Sequence, residues 1–138
     1  MLTIYTAQYA YPGADGIDTT LGGVWKAKEI GVPEPEGAIF APPEWLLKGY
    51  KAWQKGTPSR QKISPQEYEP LYLKCMRQRW LHGGKTAILD LLQHYEASHG
   101  SIVLRCFCAD HDFCHTSILK GVLLTICASE GIEAQDGG

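Results

Sequence analysis

The chain is 138 residues long, 44% apolar, and carries 13 basic against 15 acidic residues for a formal charge of −2. That length holds one domain with an ordinary hydrophobic core. The charge balance gives no footprint for sequence-independent nucleic-acid binding, and no run approaches the roughly 18 apolar residues of a membrane span.

In chain order, "LTIYTA" (2–7) is β-branched and aromatic and predicts a first strand. A long Gly- and Pro-rich connection follows. A loop of that length inside a compact domain is functional or hides a short element, and "GIDTTL" (16–21) predicts a strand within it. "AIFAP" (38–42) predicts another short strand. "PPEWLLKGYKAWQKG" (42–56) predicts a helix with Pro43 in its first turn and Gly56 at its end. Trp45, Leu46, Gly49, Tyr50 and Trp53 share one face of it.

"ISPQEYEPLYLKCMRQRWL" (63–81) predicts a helix capped by Ser64, with Pro65 at its first position and Glu67 completing a capping box. Pro70 kinks this helix or delays its start. "GKTAILDLLQHYEASHG" (84–100) predicts a helix with Ile88, Leu91, Leu92 and Tyr95 on one stripe. "SIVLRCF" (101–107) reads as a buried parallel strand, "HTSILKGVLLTICASEG" (115–131) as a helix closed by Gly131, and "IEA" (132–134) as an edge strand. Strands alternate with helices, so the chain predicts a single α/β domain with a small, mainly parallel sheet, in which 2–6 and 101–107 are neighbours.

"MLTIYTAQYAYPG" has neither the basic region nor the apolar run of a signal peptide. Five cysteines, three of them crowded into one turn, do not make a secreted disulfide framework, and a reducing cytoplasm is the expected location. "GGKT" (83–86) is not a phosphate loop. The glycine that the pattern needs five positions before Gly84 is Arg79, and the segment follows a helix, so it reads as a turn between helices.

"CFCADHDFCH" (106–115) carries the chemistry. It joins the C-terminal end of a strand to a helix N-terminus, where open α/β sheets bind ligands and free N–H groups attract anions. Cys106, Cys108, His111, Cys114 and His115 are competent zinc ligands. However, Cys114 and His115 are adjacent and diverge, and no second Cys/His pair exists, so no structural metal and no cofactor is expected. As a nucleophile, Cys108 follows the strand as in phosphatase- and rhodanese-like loops, but two acids follow it and the closing arginine is missing. Cys114 lies where a helix N-terminus stabilises a thiolate, with His115 beside it. The plain alternative is that these thiols are small buried hydrophobes.

"GIDTTLGG", "AIFAPPEWLLKGYKAWQKG", "ISPQEYEPLYLKCM" and "IVLRCFCADHDFCHTSILKGVLL" together resemble the family catalogued as domain of unknown function 488, over nearly the whole chain. The most specific part is strand, Cys108, Asp110, Cys114, His115 and helix. The resemblance implies a Rossmann-like α/β domain of bacteria, archaea and phages, without an established reaction. Family members commonly have arginine after the Cys-His pair, whereas Thr116 stands here and supplies a hydroxyl instead. The second matched stretch places Asp18, Thr19 and Thr20 beside Gly22 and Gly23.

The expected function is binding of a nucleotide or nucleotide-derived small molecule at the C-terminal strand ends, with sequestration by a phage or bacterial protein as one use. Walls come from 5–11, 18–25 and 108–117. Tyr9, Tyr11 and Trp25 stack, Asp18, Thr19, Thr20 and Gly22 orient the ligand, and Cys108, Asp110, His111, Cys114, His115 and Thr116 close the site. The alternatives are an enzyme with Cys108 or Cys114 as nucleophile, His115 as base and Asp110 as orienter, or a metal site on the same residues. Membrane and nucleic-acid partners are not expected, and a homo-oligomer is compatible with the sequence. Alanine at Thr20 or His115 is expected to weaken ligand binding and leave the thermal midpoint nearly unchanged, as for exposed polar residues.

Overall fold

Period-two alternation along β1 (Leu2–Gln8) sets the layers of the molecule. Leu2 and Ile4 are fully buried, whereas Tyr5, pointing the other way, is exposed. The computed structural model describes residues 1–56, 61–106 and 114–138. Its strands β1, β2 (Gly16–Asp18), β3 (Ser101–Cys106) and β4 (Ala134–Asp136) form one sheet in the order β2-β3-β1-β4, with every pair parallel. β1 and β3 pair from Thr3↔Ser101 to Gln8↔Cys106, as the two apolar runs predicted.

Leu2, Ile4, Ile17, Ile102 and Leu104 present one face of the sheet to the helices. Against it pack α2 (Glu44–Lys55) through Leu46, α3 (Pro65–Arg79) through Tyr68, Tyr72 and Met76, α4 (Lys85–Ser98) through Ile88, Leu92 and Tyr95, and α5 (His115–Glu130) through Leu119 and Leu123. The chain therefore folds as a small Rossmann-like α/β domain. Among the described residues no helix is long and apolar enough to cross a membrane.

The opposite face carries Arg105 and the connection from β1 to β2. Tyr9 lies beneath the Arg105 guanidinium, 5.2 Å from ring centroid to Cζ, and Tyr11 donates to Asp15 Oδ1 at 2.8 Å. Crossovers between parallel strands share one hand, so a connection that runs the other way along the sheet must use the other face. The step from β1 past β3 to β2 runs opposite to the two later ones, which explains why the loop and the helices lie on opposite sides.

Several elements follow their local chemistry. Ser64 Oγ accepts from Glu67 N and Glu67 Oε1 from Ser64 N, so the predicted capping box starts α3 at Pro65, and Pro70 is held within the helix. Residues 80–84 form the turn between α3 and α4.

Four expectations are corrected. Residues 38–42 are not a strand but the end of a 3₁₀ turn, Glu36–Phe40. Pro42 and Pro43 have no N–H to donate to a ladder, and the Ile39 and Phe40 carbonyls are taken by Arg79 Nη1 at 2.6 Å and Tyr72 Oη at 2.7 Å. The strand of 16–21 ends at Asp18, and α1 (Leu21–Ile30) begins where continued strand or loop was expected. Trp45 and Trp53 are exposed at the ends of α2, whose buried face is Leu46, Gly49 and Ala52. The last strand also lies two residues later than "IEA", at Ala134–Asp136.

Candidate functional site

β2 and β3 end side by side, with Asp18 in register with Arg105, and α1 and α5 start just beyond these strand ends. The sheet thereby brings together two motifs that lie far apart in sequence. Thr19 is fully buried, and its hydroxyl donates to the Arg105 carbonyl at 3.0 Å. His115 opens α5 and is 8% exposed, with Nε2 at 3.0 Å from both the Thr19 carbonyl and Thr19 Oγ1.

This geometry assigns the imidazole proton. A carbonyl oxygen can only accept, and the Thr19 hydroxyl hydrogen is already committed to Arg105, so Nε2 is the nitrogen that carries hydrogen. Nδ1 is then the unprotonated nitrogen, and it faces Cys114 Sγ at 3.9 Å. Cys114 is the N-cap residue of α5, and Thr116 Oγ1 donates to its sulfur at 3.1 Å. The helix end and the donated hydrogen bond both stabilise negative charge on that sulfur. Tyr72, fully buried, packs edge-on against the His115 ring with centroids 5.8 Å apart.

Burial lowers the His115 pKa below its ordinary 6.5, opposed by the hydrogen bond to Thr19 and by the Cys106 and Asp18 charges. The folded protein therefore holds a neutral imidazole that the unfolded chain would protonate in mild acid. Stability is expected to be full above about pH 6.5 and to fall as the pH drops below it toward the depressed folded value. Denaturant midpoints measured across that range should show this loss in the wild type and a flatter profile in His115→Gln. An unchanged profile in the variant would contradict the assignment.

Asp18 organises the second motif. It is 8% exposed, and its Oδ1 accepts from Thr20 N at 2.9 Å and from Thr20 Oγ1 at 2.6 Å, while Oδ2 accepts from Tyr9 Oη at 3.0 Å. Thr20 Oγ1 in turn caps α1 by accepting from Gly23 N at 3.0 Å. A Cβ on Gly23 would overlap Asp18 Oδ2, so the backbone here approaches a carboxylate of the chain itself.

Of the other expected site residues, Tyr9 and Tyr11 are drawn into contacts within the molecule. Tyr9 bonds to Asp18 and stacks under Arg105, and Tyr11 bonds to Asp15. Gly22 lies in the first turn of α1, and Trp25 on the same helix is 44% exposed. Thr20 and His115 are buried, not exposed, because both hold helix starts against the strand ends. Their replacement by alanine is therefore expected to lower stability as well, because the premise that they are exposed is corrected. Cys108, Asp110 and His111 lie outside the described residues. Among the described residues no three His, Cys, Asp or Glu side chains gather as a metal site.

Arg105 was not expected at the site. Its Nη1 reaches the Tyr9 carbonyl at 3.4 Å, and its Nε is buried with no acceptor among the described residues. The available signal was an arginine inside an otherwise apolar strand. Tyr72 was equally unannounced, because a tyrosine on a helical stripe reads only as core.

Residues 38–126 match the family model described as DUF488-N3a, active DUF488-N3 subclade. No curated protein and no solved structure matches the chain. The matched span runs from the 3₁₀ turn through most of α5 and includes Cys114, His115 and Thr116, whereas Asp18 and Thr19 precede it. A four-stranded parallel sheet with helices, the Cys-His helix start, and a match over most of the chain agree, and the chain belongs to the DUF488-N3a family.

Proposed function

We propose that the protein is a thiol-dependent enzyme acting on a small, nucleotide-like molecule at the C-terminal strand ends. Cys114 is the nucleophile, His115 the base, and the Thr19 carbonyl the group that orients the base. One observation carries this reading: His115 Nε2 is pinned at 3.0 Å to the Thr19 carbonyl, which leaves Nδ1 facing Cys114 Sγ at 3.9 Å. That is the nucleophile, base and orienter sequence of acyl- and group-transfer sites. The description of the matched family as an active subclade agrees with catalysis.

In the first step the Cys114 thiol proton passes to His115 Nδ1. The sulfur electron pair forms a bond to an electrophilic centre of the substrate, and the leaving group departs with its bonding pair. The proton on Nδ1 is then available to that leaving group. The nucleotide-like character of the substrate rests on the position of the site and on Trp25, the exposed aromatic of α1.

Iodoacetamide tests the thiol. The sulfur displaces iodide, and peptide mapping identifies which cysteine gained the acetamide group. Cys114 is expected to react about tenfold faster than a simple thiol at neutral pH, and Cys114→Ala should remove that phase. Cys75 and Cys127 provide an internal contrast, because burial raises both thiols. A Cys114 no faster than a simple thiol would overturn the enzyme. Native mass spectrometry showing an intact ligand retained by that protein would then support binding and sequestration instead.

A further inference from the structure

We propose that Asp18 is a positioning residue: it fills the amino end of α1 in place of a ligand anion and holds Thr19 so that His115 presents Nδ1 to Cys114. This rests on the thiol–imidazole reading above and extends it to a residue that touches neither sulfur nor imidazole.

Each contact of Asp18 has a geometric consequence. Oδ1 takes both the backbone N–H and the hydroxyl of Thr20, which closes the chain into a turn immediately after β2. Thr19, the residue inside that turn, is thereby directed toward α5, with its hydroxyl on Arg105 O and its carbonyl on His115 Nε2. Oδ2 is held by Tyr9 Oη, so the residue that follows β1 also braces the turn. Two glycines allow the approach, since a Cβ on Gly23 would overlap Asp18 Oδ2 and one on Gly37 would overlap the Asp18 carbonyl oxygen. Asp18 is thus held at once by the loop after β1, the start of α1 and the 3₁₀ turn.

The same placement revises where a ligand can be held. The amino end of a helix just beyond a parallel strand is the position at which a phosphate would be sought. Here the carboxylate of Asp18 and the hydroxyl of Thr20 already occupy it. A phosphate at Gly22 and Gly23 would have to displace a carboxylate that accepts three hydrogen bonds. An anionic group of the substrate is therefore held elsewhere than at the amino end of α1, whereas Trp25 farther along the same helix stays exposed.

The test compares wild type, Asp18→Ala, Asp18→Asn and Tyr9→Phe, each shown to be folded by circular dichroism. The readouts are the ring-nitrogen chemical shifts of His115 in nitrogen-labelled protein and the iodoacetamide rate at Cys114 per folded molecule. Wild type should show a single tautomer with hydrogen on Nε2. Asp18→Ala should mix the tautomers and slow Cys114 by about tenfold. Asp18→Asn keeps an acceptor for Thr20 and should recover most of the rate. Should Asp18→Ala fail to fold, Tyr9→Phe removes the Oδ2 contact while keeping the Oδ1 contacts to Thr20, and should move both readouts in the same direction by less. Unchanged ring shifts in a folded Asp18→Ala, or in Tyr9→Phe where that is the variant available, would overturn the proposal. So would millimolar inorganic phosphate that shifts the Gly22 and Gly23 amide signals of the wild type. A wild type with the expected tautomer but an unreactive Cys114 would defeat the enzyme reading and leave the positioning role standing.

Discussion

Gly37→Ala is expected to cost about 3 kcal/mol or to prevent folding, because the added methyl would overlap backbone, which cannot move aside by changing rotamer. The atoms it would meet are the carbonyl oxygen and carbon of Asp18, followed by Ile17 Cγ1. The 3₁₀ turn would have to retreat from the end of β2, and the turn that holds Thr19 would go with it. Gly121→Ala on α5 is the contrast. Nothing lies within 4 Å of its added carbon, and the position is helical, so that change should be neutral or stabilise by about 0.5–1 kcal/mol. Urea denaturation of the two variants measures the difference. A Gly37→Ala protein as stable as wild type would mean that the 3₁₀ turn does not lie against β2 as described.

His115→Ala is expected to lower stability by about 2–4 kcal/mol, combining a cavity at a buried ring with a lost hydrogen bond. It should also remove the rate advantage of Cys114 toward iodoacetamide. The two effects have separate causes. Stability falls because the ring fills the space beside Tyr72 and satisfies the Thr19 carbonyl. Reactivity falls because the nitrogen that faces Cys114 Sγ at 3.9 Å is removed. His115→Gln retains a donor for Thr19 and should recover part of the stability with none of the rate. A folded His115→Ala in which Cys114 keeps its reactivity would show that the helix end and Thr116 suffice, and would remove His115 from the chemistry.

Elements whose cause is local could be read from the residues alone. β1 and β3 were legible because β-branched residues concentrate in short runs of strand length, "LTIYT" and "SIVLR", and α3 because Ser64, Pro65 and Glu67 carry their own start signal. The candidate helix start was legible for the same reason: Cys114 and His115 stand next to each other directly before an apolar helical pattern. The rest depended on contacts between distant segments. α1 was hidden because Gly22 and Gly23 are poor helix formers, and Gly23 is required where Asp18 comes too close to leave room for a Cβ. Residues 38–42 have strand composition, but their carbonyls face Arg79 and Tyr72 across the core rather than a neighbouring strand. Composition cannot show which groups lie opposite a given backbone segment. The protonation state of His115 depends on Thr19, 96 positions away in sequence, and on whether the hydroxyl of Thr19 is already spent on Arg105. Hydrogen bonds between distant segments exist only after the sheet has set their register, so the chemistry of the site was decided by the order β2-β3-β1-β4 and not by any motif read alone.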